Sequence, residues 1–190
     1  MQSSAPSAPR QGHVDVAGVR RIAAFSDGNT GGNPAGVWIG ASLPEAAEMQ
    51  RIAYAVGYSE TAFAAPLAAA TAATAATGTG AYRVRYFSPE AEVPFCGHAT
   101  IALGAVLAGV KGDGVFDLAL NDARITVEGR SEAASEGSAT PLVSAALQSP
   151  PTRSAPAPAD VVERALALFG YQHDDLDPRI APALAHGGAG

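Results

Sequence analysis

The segment Cys96-Gly97-His98-Ala99-Thr100 places a thiol, an imidazole and a hydroxyl at the start of a long apolar run, residues 99–110. Such a run predicts a buried helix, and the first N–H groups of a helix have no partner within it and attract anions. A glycine at position 97 lets the backbone approach a ligand closely. We therefore expect the helix start at Gly97, His98 and Ala99 to bind the carboxylate of a small acidic substrate.

Glu60 is the second candidate for chemistry. It lies between two hydroxyl residues, Ser59 and Thr61, where a helical pattern has ended at Gly57 and an extended apolar segment, residues 58–64, begins. A partly buried carboxylate at such a junction can serve as a general base. Most single glutamates are solvated or cap a helix, so both interpretations stay open from the residues alone.

Two further side chains near this helix have alternative interpretations. A helix dipole disfavours a cation at its N-terminus, so His98 is expected to act as a neutral hydrogen-bond donor, with a purely structural role as the alternative. Thiolates are stabilised at the same position, which would make Cys96 reactive. Free cysteine is also a common small buried residue, so a packing role for Cys96 is equally consistent with the sequence.

The turn Gly31-Gly32-Asn33-Pro34 superficially suggests a phosphate-binding loop. It lacks the G-x-G-x-x-G pattern and a following Lys-Ser/Thr, which argues against a dinucleotide site and a P-loop. We interpret it as a tight turn at the edge of a cleft, with Asn33 as a further candidate site residue.

Composition narrows the class of protein. Among 190 residues, 12 basic and 18 acidic side chains give a net charge of −6, and no Lys/Arg cluster is present, which argues against nucleic acid or an anionic membrane surface as a partner. The longest uncharged apolar run is shorter than the roughly 20 residues of a membrane span. One cysteine excludes an internal disulfide, and the four histidines form no spaced ligand set with it, so no metal site is predicted. A reducing, cytoplasmic location fits best.

Hydrophobic patterning then suggests how these residues are positioned. Residues 1–18 are expected to form a flexible tail, 19–148 a barrel domain, and 149–190 a linker, a helix and the start of a second domain. Capping boxes predict helix starts at Ser42 with Glu45 and at Asp160 with Glu163. Strands are predicted at 19–25, 36–39, 82–87, 115–120, 124–128 and 142–148, and loops at 68–80 and 129–140.

The helix beginning near residue 99 is apolar on every side. Such a helix cannot lie on a surface and needs neighbours all round, as it would have inside a wrapped sheet. The sequence therefore predicts an α+β fold, a strand-rich barrel around a central apolar helix.

Three segments of the chain, in this order and spacing, resemble the phenazine-biosynthesis-type isomerases, the PhzF-like family, whose fold is shared with diaminopimelate epimerase. The segments are residues 24–37, with Gly31-Gly32-Asn33-Pro34; residues 58–63, with Ser59-Glu60-Thr61; and residues 85–100, with Cys96-Gly97-His98. The resemblance implies that Glu60 shuttles a proton and that Gly97 and His98 line the site. It also implies that no metal and no organic cofactor are needed, and that the active site lies in a cleft between two similar halves.

The resemblance sets the expected function. In the family, a second half would begin about where this sequence ends, so we expect a truncated PhzF-like isomerase that moves a proton on a small carboxylate metabolite by acid/base catalysis. The alternative is a non-catalytic half-domain that binds a small molecule, or pairs with a second copy as a homodimer, without turnover.

Overall fold

The computed structural model describes residues 16, 18–27, 30–67, 80–132 and 142–187. Most of the expected N-terminal tail, residues 68–79 of one predicted loop and 133–140 of the other lie outside this part of the chain. In chain order the elements are β1 (Val19–Ala24), β2 (Asn33–Ile39), α1 (Ala46–Val56), β3 (Thr61–Pro66), β4 (Ala81–Phe87), β5 (Glu92–Val93), α2 (Gly97–Lys111), β6 (Gly114–Ala119), β7 (Arg124–Glu132), β8 (Leu142–Leu147), β9 (Arg153–Pro156), α3 (Ala159–Phe169), a 3₁₀ turn (His173–Asp175) and β10 (Ala183–His186).

Strands β1 to β8 form one mixed sheet. Its order is β1-β2-β3-β4-β6-β7-β8, with β5 paired to β4 outside this path. The two parallel pairs, β2 with β3 and β4 with β6, are each joined through a helix, as parallel neighbours require. Helix α2 contacts β1, β2 and β3 from one half of the sheet and β6, β7 and β8 from the other. The sheet therefore curves around α2 as a half-barrel, and the predicted α+β fold with a central apolar helix is confirmed.

Helix α2 is buried because apolar side chains cover its whole circumference. Ala102, Leu103 and Leu107 are fully buried in the main core, together with Phe116 and Val127 from the surrounding strands. This packing leaves no room for a side chain at some positions: a Cβ on Gly104 would lie 2.5 Å from Cγ2 of Val127. The fit explains why small residues recur along the helix.

The other face of the sheet is covered by α1. Met49 and Ile52 of this helix pack on Phe63 and Phe87, whose rings meet edge to face with centroids 5.7 Å apart. Helices α1 and α2 thus lie on opposite faces of the middle of the sheet. The start of β3 is held firmly between them, since Thr61 is completely buried.

The helix ends were predicted better than the helix starts. Gly57 and Gly170 adopt left-handed conformations, φ 74° and 73°, and end α1 and α3 as expected. Both predicted capping boxes are wrong. Helix α1 begins only after Glu45, and α3 begins after Pro158, with no side-chain cap hydrogen bond at either residue.

Two predicted irregular segments contain strands. Residues 129–132 extend β7, because each of them pairs with a residue of β8. The expected linker contains β9, which pairs antiparallel with β10 in a separate two-stranded sheet. Helix α3 lies against this small sheet across an apolar groove of about 330 Å³, which is lined by Val162, Leu166 and Leu184 among others.

None of the helices in the described part of the chain combines the length and the apolar character that a membrane span requires.

Candidate active site

Glu60 immediately precedes β3, so it lies at the end of an interior strand of the main sheet. Its backbone carbonyl accepts a hydrogen bond of 3.1 Å from the N–H of Gly36 in the parallel strand β2. The next residue, Thr61, is buried against Gly36, since a Cβ there would lie 2.6 Å from the Thr61 Oγ1. The backbone at Glu60 is therefore fixed, while its side chain is 22% exposed.

The start of α2 lies opposite. Cys96 is the N-cap residue in an extended conformation, and its carbonyl accepts hydrogen bonds from the N–H of Thr100, at 3.0 Å, and from the Thr100 hydroxyl, at 2.6 Å. The Thr100 hydroxyl also lies 2.7 Å from the buried phenol of Tyr86 on β4. This network ties the first turn of the helix to the sheet. The N–H groups of Gly97, His98 and Ala99 precede the first intrahelical bond; those of His98 and Ala99 face the Cys96 sulfur, so a ligand would share them with the thiol.

Three reactive side chains meet between these elements. The Nε2 of His98 lies 3.4 Å from Oε2 of Glu60 and 3.3 Å from Oγ of Ser59, and its Nδ1 lies 3.2 Å from Sγ of Cys96. The Cys96 sulfur also lies beside the Glu60 carboxylate, with ligand atoms of the two residues within 4.8 Å of each other. We call Glu60, Cys96 and His98 the acid–thiol–imidazole cluster.

The electrostatics of the cluster favour the protonated form of the Cys96 thiol. The pKa of its thiol is raised to about 12, mainly by burial and to a smaller extent by the neighbouring Glu60 carboxylate. The backbone N–H groups of His98 and Ala99 point at the sulfur and lower its pKa, as a helix N-terminus should, but they are outweighed. Cys96 is therefore a neutral thiol at physiological pH, not a stabilised thiolate.

Space remains in front of the cluster. A Cβ built on Gly97 would meet no atom within 4 Å, although Gly97 is partly buried in the fold. The side chains of His98 and Glu60 are 11% and 22% exposed, so the cluster is largely shielded from bulk water, with Glu60 the more accessible of the two. A small polar molecule can thus approach both the carboxylate of Glu60 and the open end of α2.

The remaining predicted site residues are Ala99, in the first turn of α2, and Asn33, at the start of β2. The side chain of Ala99 is fully buried in the core, so only its N–H can contact a ligand. Asn33 begins β2 and is exposed; since Gly36 pairs with Thr61 in the parallel register, Asn33 lies at the same end of the sheet as Glu60. Within the described part of the chain, its side chain makes no hydrogen bond to the cluster.

Sequence reasoning missed two features of this site. Ser59 contacts His98 through its hydroxyl, and the signal was its adjacency to Glu60. A metal-ligand set was not predicted, because the three donors come from two distant segments; in the structure, one ligand atom each of Glu60, Cys96 and His98 lies within 4.8 Å of the others.

The sequence was compared with known families and proteins. It matches the PhzC-PhzF family, described as phenazine biosynthesis-like protein, over residues 22–189. An uncharacterized isomerase of Deinococcus radiodurans is 44% identical over 87 residues, 46% of this chain and 25% of that protein. An uncharacterized isomerase of Salmonella typhimurium is 36% identical over 125 residues, 58% of this chain and 39% of that protein. The chain thus spans well under half the length of either relative.

Solved structures show the same fold. A predicted epimerase from Pseudomonas aeruginosa superposes with a TM-score of 0.68 at 21% identity, covering 88% of this chain and 55% of that one. A phenazine biosynthesis protein of the PhzF family from Bacillus anthracis superposes with a TM-score of 0.58 at 23% identity, covering 90% of this chain and 52% of that one. At these identities the likeness establishes the architecture alone.

Proposed function

Because this chain belongs to the PhzC-PhzF, phenazine biosynthesis-like family, we propose that it takes part in an isomerase reaction that moves a proton on a small carboxylate metabolite. The observation that carries the proposal is the contact between Glu60 and the open N-terminus of α2, through His98 at 3.4 Å. A carboxylate base beside an anion-binding helix end is what proton abstraction next to a carboxylate group needs. Two curated relatives that bear the name isomerase support the reaction class.

Each residue has a distinct role in this reaction. Glu60 takes a proton from a carbon of the substrate and returns it to another carbon, or to the other face of the same carbon, so no atoms are gained or lost. The N–H groups of Gly97, His98 and Ala99 bind the carboxylate, or the enolate-like oxygen that carries negative charge after the proton leaves. The neutral Cys96 thiol lies beside Glu60 and helps to position its carboxylate. The proposal requires neither a metal nor an organic cofactor.

Isotope exchange tests the role of Glu60. The protein is incubated in D₂O with a panel of small unsaturated and amino-substituted carboxylic acids, and loss of C–H signals is followed by NMR. We expect exchange with at least one acid, and its loss in Glu60→Gln, which keeps the shape of the side chain but removes the base. Glu90→Gln is the matched control, since Glu90 is exposed outside the cluster. Exchange that persists in Glu60→Gln contradicts the proposal.

The role of the helix end has its own test. A methyl group added by Gly97→Ala meets no protein atom within 4 Å, so the fold should be retained while the ligand space is reduced. We expect weaker substrate binding without loss of thermal stability. Unchanged binding in this variant would place the substrate elsewhere.

A second candidate function is supported by the surface around α3. Leu168, Phe169 and Tyr171 are 78%, 72% and 58% exposed, and apolar surface of this kind is typical of an interface. On this basis the chain would be an assembly module that pairs with a second copy without turnover. Mass in solution separates the two: a monomer that exchanges substrate protons supports the isomerase alone, and a dimer that dissociates in Phe169→Ser and exchanges no proton supports the assembly role.

A further inference from the structure

The acid–thiol–imidazole cluster has a chemical property that proton transfer does not use. Its three side chains offer one carboxylate oxygen, one sulfur and one imidazole nitrogen, and these donors all lie within 4.8 Å of one another. Sulfur and imidazole are ligands that select zinc over magnesium or calcium, which prefer oxygen alone. A set of three protein ligands with one position left open is typical of catalytic zinc sites.

The three donors are grouped somewhat more widely than in a formed tetrahedral site, within 4.8 Å of one another. With zinc bonds of about 2.0 to 2.3 Å, neighbouring ligand atoms of a tetrahedron are about 3.4 to 3.6 Å apart. In the structure, Nδ1 of His98 lies 3.2 Å from Sγ of Cys96, and Nε2 of His98 lies 3.4 Å from Oε2 of Glu60. These two distances involve different nitrogens of one ring, and an ion binds only one of them, so the side chains must rotate before one nitrogen, the sulfur and the carboxylate oxygen share a centre. The donor atoms start within 4.8 Å of one another.

The surrounding charges permit a divalent cation. The helix N-terminus contributes a partial positive charge of about half a unit, which is unfavourable for a cation. The carboxylate of Glu60 and the thiolate that forms when Cys96 binds a metal carry two negative charges and outweigh it, and the helix end stabilises the thiolate. The open side at Gly97 leaves room for a water molecule or a substrate carboxylate as the fourth ligand.

We propose that Glu60, Cys96 and His98 bind Zn²⁺, and that the ion inhibits the protein by occupying the carboxylate of Glu60. When the Zn–S bond forms, the thiol proton leaves to solvent, and no oxidation or reduction takes place. The inhibitory consequence rests on the proposed function, because it requires Glu60 to be the proton carrier. The metal site itself rests only on the three side chains.

Cobalt substitution tests the site directly. Co²⁺ adopts the geometry of Zn²⁺ and absorbs visible light strongly when four-coordinate, and a thiolate ligand adds a charge-transfer band in the near ultraviolet. We expect both features on titrating the metal-free protein with Co²⁺, and their loss on adding one equivalent of Zn²⁺ but not of Mg²⁺. Absence of the thiolate band in the folded wild-type protein overturns the proposal, whatever the variants do.

Variants assign the ligands. Cys96→Ser, Glu60→Gln and His98→Asn should each weaken Zn²⁺ binding by more than about 100-fold, since even loss of a residue that only supports a ligand costs 10- to 100-fold. His173→Asn is the matched control for the histidine, because His173 is exposed in the 3₁₀ turn. Zn²⁺ affinity that is equal in Cys96→Ser and wild type would show that the ion binds elsewhere and would overturn the proposal.

The isotope-exchange assay separates this inference from the proposed function. If the metal-free protein exchanges substrate protons, Zn²⁺ should abolish exchange at the concentration that saturates the cobalt-binding site, and exchange that continues with the site filled overturns the assignment of Glu60 as a ligand. If the metal-free protein exchanges no proton, the proposed function fails, while a cobalt–thiolate spectrum that depends on all three residues still supports the metal site.

Discussion

Alkylation of Cys96 measures the electrostatics of the cluster at one atom. Cys96 is the single cysteine of the 190 residues, so the mass of the intact protein reports on this site alone. Burial, with Glu60 acting in the same direction, raises the pKa of the thiol to about 12 from an ordinary value of 9.0. The thiolate is the species that reacts with iodoacetamide. At pH 8, about one thiol in 10,000 is ionised, against about one in ten for the ordinary value, so alkylation should be about 1,000-fold slower than in the unfolded chain.

The assay follows the alkylation rate from pH 7 to pH 10, in native buffer and in denaturant. The native rate should rise about tenfold with each pH step of one, without a plateau, whereas the unfolded rate should level off near pH 9. Glu60→Gln removes a negative charge that raises the pKa of the thiol, so the native rate should increase at every pH. Glu90→Gln, the exposed control, should leave it unchanged. A native plateau at or below pH 9 would refute the assignment of Cys96 as a neutral thiol, and equal rates in Glu60→Gln and wild type would refute the contribution of Glu60 to its raised pKa.

The remaining predictions concern packing and pH. Gly104→Ala would bring a methyl group within 2.5 Å of Val127 and should destabilise the fold by about 1 to 3 kcal/mol, whereas Gly109→Ala on the same helix meets no atom within 4 Å and should stabilise it by up to about 1 kcal/mol. Urea denaturation compares the two, and equal midpoints would contradict the packing described. The ion pair with Arg85 holds the pKa of Glu92 below 4.5, so its contribution is present above that pH and is lost as the pH falls through the lowered value. Glu92→Gln should therefore be less stable than wild type at pH 7, and the difference should vanish in acid; a difference that persists there would rule out this pair as its source.

Patterns that involve one element were predictable from the sequence. The all-apolar circumference of α2 correctly indicated a helix surrounded by strands, and glycines marked the ends of α1 and α3. The capping-box spacing misplaced both helix starts: Glu45, predicted inside the first turn, is itself the N-cap of α1 with ψ 150°, and α3 begins at Ala159, before the predicted cap Asp160. Residues 153–156 were taken for linker because their Pro, Ser and Ala content gives no strand signal without the partner β10.

The helix end and the carboxylate of the site were each predictable from the sequence, but separately. Local rules pointed to an anion-binding helix end at Gly97 and to a carboxylate at Glu60, but they say nothing about the distance between residues so far apart in sequence. The same limit hid the ligand set, since Cys96 and His98 acquire their third donor only through tertiary structure. Local reasoning also left the state of Cys96 open, because a helix end lowers a thiol pKa and burial raises it, and the extent of burial is a property of the fold.

Strand register explains why Glu60 lies near the start of α2. In the antiparallel pair of β3 and β4, Thr61 stands opposite Phe87, so the residue before β3 lies beside the end of β4. From that end the chain turns at Ser88, pairs back along β4 as β5, and enters α2. The start of α2 must then lie near Glu60, and the hydrogen bond between Tyr86 and Thr100 fixes it there. Strand β4 thus positions both the Glu60 carboxylate and the start of α2. A substitution of Tyr86 in the core should therefore alter the cluster as directly as a substitution within it.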